Sequence, residues 1–485
     1  MTEFELKLEI PAGKLAAVQA AVAAEPTTRV HLRALYIDTP DRVLARHGIA
    51  LRLRQENGRW VQTCKAPGSG PVERFEHNAT IDASSDDAPP PDVARHDGTP
   101  LGDRLRAALG AAKDPRWDVV FETDVQRVLR EVRQGASTLE LALDEGRILA
   151  GGREHAVREV EVELKEGRPQ DAVRFARHWA ARHGLWLSII SKAQRGRLLA
   201  EGRTAGEAVH AQPVRYPRKA SSGEVVRAVL ASCLAHVIGN ASEIAAGSED
   251  EEHVHQLRVG IRRLRTALRE LQSLAPVDAG CEPALVAAFR ALGEQRDQAQ
   301  VLRSFAPRIE AAGGPRPQAL AQPVAPSAPG EVVRAPEFQD AMLELLGQQL
   351  DIADEGRSPR KPLRRGLQRL RRQVVRDGRQ FAALEPALQH RVRKRLKRLR
   401  YLADFAEPLF PAHGQHAFIE ALKPAQDALG ANNDLLVALQ VYRDMAQNDA
   451  PALFGVGWLT AQLEPQVRAC EKALRRLAKA DPFWD

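Results

Sequence analysis

Two periodicities divide the chain. Through roughly the first 200 residues, short segments alternate apolar and polar positions: TEFELKLEI, IALRLRQE, RWVQTCKA, RFEHNATID, TLELALDE and VREVEVELK. Period-two alternation predicts strands. Helical spacing interrupts them near residues 12–24 and 169–184, and a Pro/Asp/Ser-rich loop covers 83–100. A turn-rich stretch at 201–223 reads as a linker. From about residue 224 the 3.6-residue period dominates and strand signals vanish. Residues 306–337, rich in Pro, Gly and Ala, break that pattern and predict a mobile insertion or linker. The expected organisation is an α+β domain at 1–203, a linker at 204–223 and an all-α domain at 224–485.

The helical half repeats itself at an offset of 135 positions. His255, Arg258, Arg262, Arg263 and Arg265 of HQLRVGIRRLR land on His390, Arg393, Lys397, Arg398 and Arg400. The apolar Leu257, Ile261, Leu264 and Leu268 land on Val392, Leu396, Leu399 and Ala403. LGEQRDQAQVL (292–302) answers LGANNDLLVAL (429–439), aligning Asp297 with Asp434. Two copies, at about 224–305 and 338–485, predict two pseudo-symmetric four-helix bundles.

Each copy has an apolar face and a basic stripe when placed on a helix. In the second copy Lys394 extends the stripe. Residues 360–400 hold 16 Lys/Arg against two acids, Asp377 and Glu385. Such density is costly through self-repulsion unless an anion is near.

The strands carry a different chemistry. Alternate side chains share a face, so Glu3, Glu5, Lys7 and Glu9 point one way and Phe4, Leu6 and Leu8 the other. Arg52 and Arg54 share a face, as do Arg74 and Glu76, Glu140 and Asp144, and Glu159, Glu161, Glu163 and Lys165. Mixed acids and bases on one face, with apolar residues on the other, are economically housed in a closed sheet with a charged lumen. Arg and Lys hold phosphoryl oxygens, and clustered carboxylates hold divalent cations.

Composition narrows the partner. The 485 residues carry a net charge of +7, which suits an anionic ligand. Aromatics are only 5%, which disfavours base stacking and hence nucleic acid. The four cysteines are far apart and lack metal-ligand spacing, so a reducing cytoplasm is the expected location. The opening MTEFELKLEI does not read as a signal peptide, and no run of 18 apolar residues predicts a membrane span.

These strands resemble the CYTH domain of the triphosphate tunnel metalloenzyme superfamily over about residues 1–200. Glu3, Glu5 and Lys7 match its ExExK signature, and ALRLR, VQTCKAPG, FETDVQR, LELALDEG, EVEVELKEG and SKAQRG follow as further landmarks. Asn78 stands where the family often has a second acid of R-x-E-x-E. The resemblance implies an eight-stranded antiparallel β-tunnel that hydrolyses a triphosphate with Mg²⁺ or Mn²⁺. It assigns phosphate contacts to Lys7, Arg52, Arg54, Lys65, Arg74, Arg127, Lys192 and Arg195. Metal would fall to Glu3, Glu5, Glu140, Asp144, Glu159, Glu161 and Glu163. Catalytic roles would fall to Glu3, Glu5, Lys7 and Lys192, with Lys192 as phosphate ligand or general acid. Adenylyl cyclases, thiamine triphosphatases and RNA triphosphatases share the family, and no adenine or thiazole pocket is legible.

The helical half resembles the CHAD domain, the conserved histidine α-helical domain, through HQLRVGIRRLR, HRVRKRLKRLRY, LGEQRDQAQVL and LGANNDLL. That resemblance implies inorganic polyphosphate as ligand, held by His255, Arg258, Arg262, Arg263, Arg265, His390, Arg393, Lys394, Lys397, Arg398 and Arg400. A CYTH domain joined to a CHAD domain most resembles bacterial inorganic triphosphatases, with association with polyphosphate granules as an expectation. The competing expectation is a non-catalytic polyphosphate-binding adaptor.

Overall fold

The computed structural model describes all residues except 1, 57, 69, 71, 83–86, 111–114, 319–327, 412–413 and 485. The side chains of residues 2 and 294–301, which include Asp297, also lie outside the description. Part of the expected 83–100 loop and of the 306–337 insertion falls there as well.

The strands are β1 (Thr2–Glu9), β2 (Thr28–Asp38), β3 (Ala50–Glu56), β4 (Arg59–Pro67), β5 (Glu73–Ile81), β6 (Asp118–Gln134), β7 (Ser137–Ala150), β8 (Arg153–Glu166) and β9 (Trp186–Ser188). Their order is β5-β4-β3-β2-β6-β7-β8-β1-β9, and a further β5–β1 pairing closes the first eight strands into an antiparallel barrel. The closure is short: Thr2, Glu3 and Phe4 pair with Phe75, Arg74 and Glu73. Beyond that point β9 takes over the same edge of β1, pairing Lys7 with Ser188 and Glu9 with Trp186. The eight-stranded tunnel expected above is therefore present, with one short extra strand. β7 and β8 meet through the two-residue turn Gly151–Gly152, between Ala150 and Arg153. Both glycines have positive φ, as the tight hairpin that matches strand twist requires.

Alternation is carried through as predicted on β1 and β7. Leu6, Leu8, Leu139 and Leu141 are fully buried on the outer face. Helices cover that face: among α1 (Leu15–Val22), α2 (Val43–Arg46), α3 (Pro100–Leu109), α4 (Pro169–His183) and α5 (Lys192–Ala200), α4 packs on β1 and β8, and α5 on β6, β7 and β8. The Ser191 hydroxyl caps α5 by accepting from the Gln194 amide at 3.1 Å.

Gly196 of α5 faces Phe121, whose ring stacks on Tyr36 at 4.3 Å. A Cβ at Gly196 would lie 2.2 Å from the Phe121 ring. Gly196→Ala is therefore expected to destabilise the protein by about 1–3 kcal/mol through overpacking. A drop in thermal midpoint against wild type is the measurement; an unchanged midpoint would mean that α5 shifts freely.

The remaining helices are α6 (Ser222–Ala245), α7 (Glu251–Glu270), α8 (Glu282–Ala291), α9 (Glu294–Ala311), α10 (Pro329–Arg334), α11 (Pro336–Asp351), α12 (Arg360–Gly378), α13 (Pro386–Ala406), α14 (Gln415–Met445) and α15 (Ala452–Ala478). α7 begins at Glu251 and α13 at Pro386, so the helices follow the sequence offset. The expected insertion is partly helical, since α9 runs to Ala311 and α10 starts at Pro329. α6 is long and apolar enough to cross a membrane by length and composition, and 72% of its apolar window is buried in the protein. Two of its buried polar side chains bond within the helix: Asn240 donates to the His236 carbonyl at 2.7 Å and Ser242 to the Ile238 carbonyl at 2.7 Å.

The chain forms two compact units. The first comprises Met1–Ala211, Ala231–Gly260 and Gly330–Asp351. The second comprises Gln212–Leu230, Ile261–Pro329 and Ile352–Asp485. The segment read as a linker is docked in both. In the first unit Val209 exchanges two hydrogen bonds with Asn240, at 2.9 and 3.1 Å; in the second, Tyr216 donates to the Phe405 carbonyl.

Candidate active site

The lumen is a cavity of about 1190 Å³ in the first unit. Glu3, Glu5, Lys7, Arg52, Arg54, Lys65, Arg74, Arg127, Glu140, Asp144, Glu161, Glu163 and Lys192 all line it. Strand register brings them together in rows. Across β1, β8 and β7, Glu5 faces Glu163 and Glu163 faces Glu140; one step along, Lys7 faces Glu161. Asp144 stands between Arg127 on β6 and Glu159 on β8.

The acidic wall centres on Asp144, Glu159 and Glu161. One carboxylate oxygen from each lies within 4.8 Å of the others. Two cations now neutralise them. Lys192 Nζ lies 2.6 Å from Asp144 and 2.8 Å from Glu161, and also contacts Glu159. Arg127 forks onto both Asp144 oxygens at 2.6 Å and also reaches Glu161. Burial pushes Glu161 up, but Lys192 and Arg127 outweigh it and hold the carboxyl well below its usual range. Asp144 is likewise held low, by Lys192 and Arg127 against burial. Burial raises Glu159 to about 7, although Lys192 and Lys7 pull the other way. Lys7 itself donates to the Ile190 carbonyl at 2.8 Å and lies 3.7 Å from Glu159.

Glu3 and Glu5 occupy a less compensated region. Burial and a shared hydrogen bond with Glu76 push Glu3 up to about 8, despite Lys65 at 3.3 Å. Burial and the Glu161 charge raise Glu5. At the more open part of the lumen Lys165 pairs with Glu140 at 3.2 Å and Glu163 at 2.8 Å.

The basic wall lies on β3. Arg52 Nη1 donates to the Tyr36 hydroxyl at 3.3 Å, and burial and Arg52 hold the neighbouring Arg54 down to about 10. Arg54 contacts Glu56, yet the Nε atoms of both arginines are buried and have no hydrogen-bond partner among the described residues. Two crowded guanidiniums with unused donors form a place for an anion. Arg74 spends part of its guanidinium on the Ile189 carbonyl at 3.5 Å.

Two expected residues are placed differently. Arg195 lies outside the lumen lining: it sits one turn past Lys192 on α5 and pairs with Glu9 at 3.1 Å. Glu159 is absent from the lining because it is 4% exposed beneath Lys192, though it belongs to the acidic cluster. Lumen residues that the motifs did not single out include Tyr36 and Thr63. Thr63 donates to Asn78 at 2.7 Å and Asn78 to Glu76 at 2.9 Å, so Asn78 holds an acid in place. Asn78 was visible in the sequence as the departure from R-x-E-x-E, whereas its pairing with Thr63 comes from the Lys65–Glu76 register of β4 and β5.

The basic helices sort similarly. His255 and Arg258 belong to the first unit, the others to the second. Within the second unit, burial and the charges of Arg265, Arg290 and Arg393 push the Lys394 ammonium below its ordinary value. His390, which contacts Asn433 at 2.8 Å, is held low by burial and by Lys394, with Arg393 and Lys397 adding to the effect. Arg262 lies over the Phe289 ring at 5.6 Å. Arg263 departs from the expectation: it is 4% exposed, packed over Phe405 at 5.5 Å. α7 is buried on more sides than its leucines mark, since Gln256, Gly260, Thr266 and Ala267 are buried too. Arg265 pairs with Glu282 at 2.8 Å, Arg398 with Glu270 at 3.3 Å, and Arg400 with Asp404. Those three are thus ion-paired within the protein.

A pH effect follows from the raised carboxyls. Between their ordinary value of 4.5 and the folded values of about 7 and 8, Glu159 and Glu3 bind more protons folded than unfolded. Their contribution to stability therefore falls as pH rises through that window. Without metal, the thermal midpoint is expected to decline from pH 5.5 to 8.5 on their account. Adding Mg²⁺ or Mn²⁺ should reduce the decline; parallel curves with and without metal would separate these acids from any cation.

The CYTH domain family matches residues 1–196 and the CHAD domain family residues 228–443. An inorganic triphosphatase of Haemophilus influenzae is 32% identical over 169 residues, which is 34% of this chain and 44% of that protein, so less than half of the relative is covered. Among solved structures, the CHAD domain of Ricinus communis is 28% identical, covering 56% of this chain and 96% of that one, with a TM-score of 0.48. The Hippeastrum protein HpAC1, described as revealing a dominant triphosphatase activity, is 20% identical, covering 41% of this chain and 96% of that one, with a TM-score of 0.32. The charged barrel and the basic helices thus fall in the two matched segments, and the chain carries a CYTH domain at residues 1–196 followed by a CHAD domain at residues 228–443.

Proposed function

We propose that the barrel hydrolyses inorganic triphosphate to diphosphate and phosphate with Mg²⁺ or Mn²⁺, and that the CHAD domain binds inorganic polyphosphate. One observation carries the first part: three carboxylates converge at the lumen wall, Asp144 and Glu161 lining it and Glu159 just behind, and β3 brings two crowded arginines whose buried Nε atoms have no hydrogen-bond partner among the described residues. The Haemophilus triphosphatase supports the choice of reaction.

Asp144, Glu159 and Glu161 fit a hard divalent cation by their oxygen donors and mutual spacing, with Glu3 and Glu5 nearby in the lumen. When bound, such a cation polarises a phosphoryl group and acidifies water. The chain's own groups do the rest. Arg52, Arg54, Lys65, Arg74 and Arg127 bind and orient the phosphoryl oxygens. An acid of the lumen takes the proton of the attacking water. Lys192 exchanges its carboxylate partners for the departing diphosphate and balances its charge. In the CHAD domain, His390, Arg393, Lys394 and Lys397 cluster around a flexible polyanion that offers no bases to stack.

The purified full chain with Mg²⁺ or Mn²⁺ is expected to release phosphate from tripolyphosphate with a higher kcat/KM than from ATP, and to stop on chelation. Equal or faster ATP turnover would refute the substrate assignment.

A further inference from the structure

A second cavity, of about 410 Å³, lies in the first unit where β1, β8 and β9 meet. It is separate from the lumen, though Ser188 lines both. Its wall is basic. Arg158, Arg195 and Arg334 line it together with His155, against the carboxylates of Glu9 and Glu154. Glu154 also reaches Arg147 at 3.5 Å, and Glu9 is engaged by Arg195.

The three guanidiniums have spare capacity. Arg158 Nε is buried without a hydrogen-bond partner among the described residues. Arg334 rests on the Trp186 ring at 5.0 Å and donates both Nε, at 2.9 Å, and Nη2 to the Ala245 carbonyl, which fixes its plane and leaves Nη1 for other partners. Arg195 has one carboxylate partner, Glu9 at 3.1 Å. His155 is held below its ordinary value by burial and by Arg195, with Glu9 opposing and Arg158 adding to the effect. A concave site with positive charge in excess and buried unused donors is built to take an anion.

We propose that this cavity binds a small phosphate-type oxyanion between Arg158, Arg195 and Arg334, at a site distinct from the catalytic lumen. The guanidinium forks suit a tetrahedral oxyanion, and Arg334 already occupies a face of the Trp186 ring. The site is mechanically linked to the lumen. Arg195 and Lys192 stand one turn apart on α5, so an anion that draws Arg195 from Glu9 acts on the helix that carries Lys192. The proposal does not depend on what the lumen hydrolyses.

Its test uses location rather than turnover. Crystals of the full chain are soaked in graded tungstate, a heavy analogue of orthophosphate. The expected result is an anomalous peak in contact with Arg158 and Arg195, displaced by orthophosphate or diphosphate; comparing the two tells a single phosphate from a chain end. Arg158→Gln is expected to raise the concentration for half occupancy about ten-fold, with any lumen peaks unchanged. Arg334→Gln should act in the same direction, and Arg158→Gln guards against a folding effect because Arg158 Nε has no hydrogen-bond partner among the described residues to lose. Tungstate in the lumen with none in this cavity overturns the proposal. So does a cavity peak that neither phosphate displaces, or one that fills equally in both variants.

Discussion

Replacing Glu161 with glutamine is expected to lower phosphate release from tripolyphosphate by about 10³-fold, with Mg²⁺ or Mn²⁺ saturating. Glu161 is the acid on which the site converges. It contacts both Lys192 and Arg127 and faces Lys7 across β1 and β8. Glutamine keeps the shape and removes the charge. The candidate cation cluster would be left with Asp144 and Glu159, and burial has already raised Glu159 to about 7. Part of the effect is structural: removing one partner from a buried ion network costs about 3 kcal/mol. Substrate affinity measured on the folded variant separates the two effects, because the basic wall on β3 is untouched. A variant with near-normal turnover would remove the three-carboxylate cluster from the reaction.

Reversing charge at Lys394 and Lys397 together is expected to weaken long-chain polyphosphate binding about 100-fold at moderate salt. These side chains share a patch in which burial and like charges push Lys394 and His390 below their ordinary values. Such mutual repulsion is relieved by a bound polyanion, so the stored cost returns as affinity. The slope of log affinity against log salt should flatten by roughly one for each lost phosphate contact. Binding should also tighten as pH falls, because a polyanion beside His390 favours its protonated form. Unchanged affinity and slope would move the binding site elsewhere. Arg263, buried over Phe405, is the informative contrast: its charge is spent inside the protein.

Much of the barrel was legible because its strands obey a simple rule. Glu3, Glu5 and Lys7 alternate with buried Phe4, Leu6 and Leu8, and a closed sheet turns that alternation into inside and outside. β2 escaped because its alternation, clear at His31–Ala34, breaks at its end: Tyr36, Ile37 and Asp38 are buried in succession, with lumen on one side and cover on the other. Tyr36 was lost with it, although it carries Arg52. In the helical half the 135-residue offset correctly located α13 relative to α7, but burial around α7 is wider than its leucine stripe.

By itself the sequence determined which side chains share a face, since that depends only on the two- and 3.6-residue periods of the backbone. It therefore determined the acid-and-base strands, the basic helices and their repetition. Only the tertiary structure decided which charges meet. Lys65 reaches Glu3 across 62 positions, and Lys192 reaches Glu159 across 33. The same structure turned Arg195, one helical turn past Lys192, onto Glu9 and away from the lumen. Such pairings follow from strand register, barrel closure and the seat of α5. Those are set by long-range packing, which local periodicity does not encode.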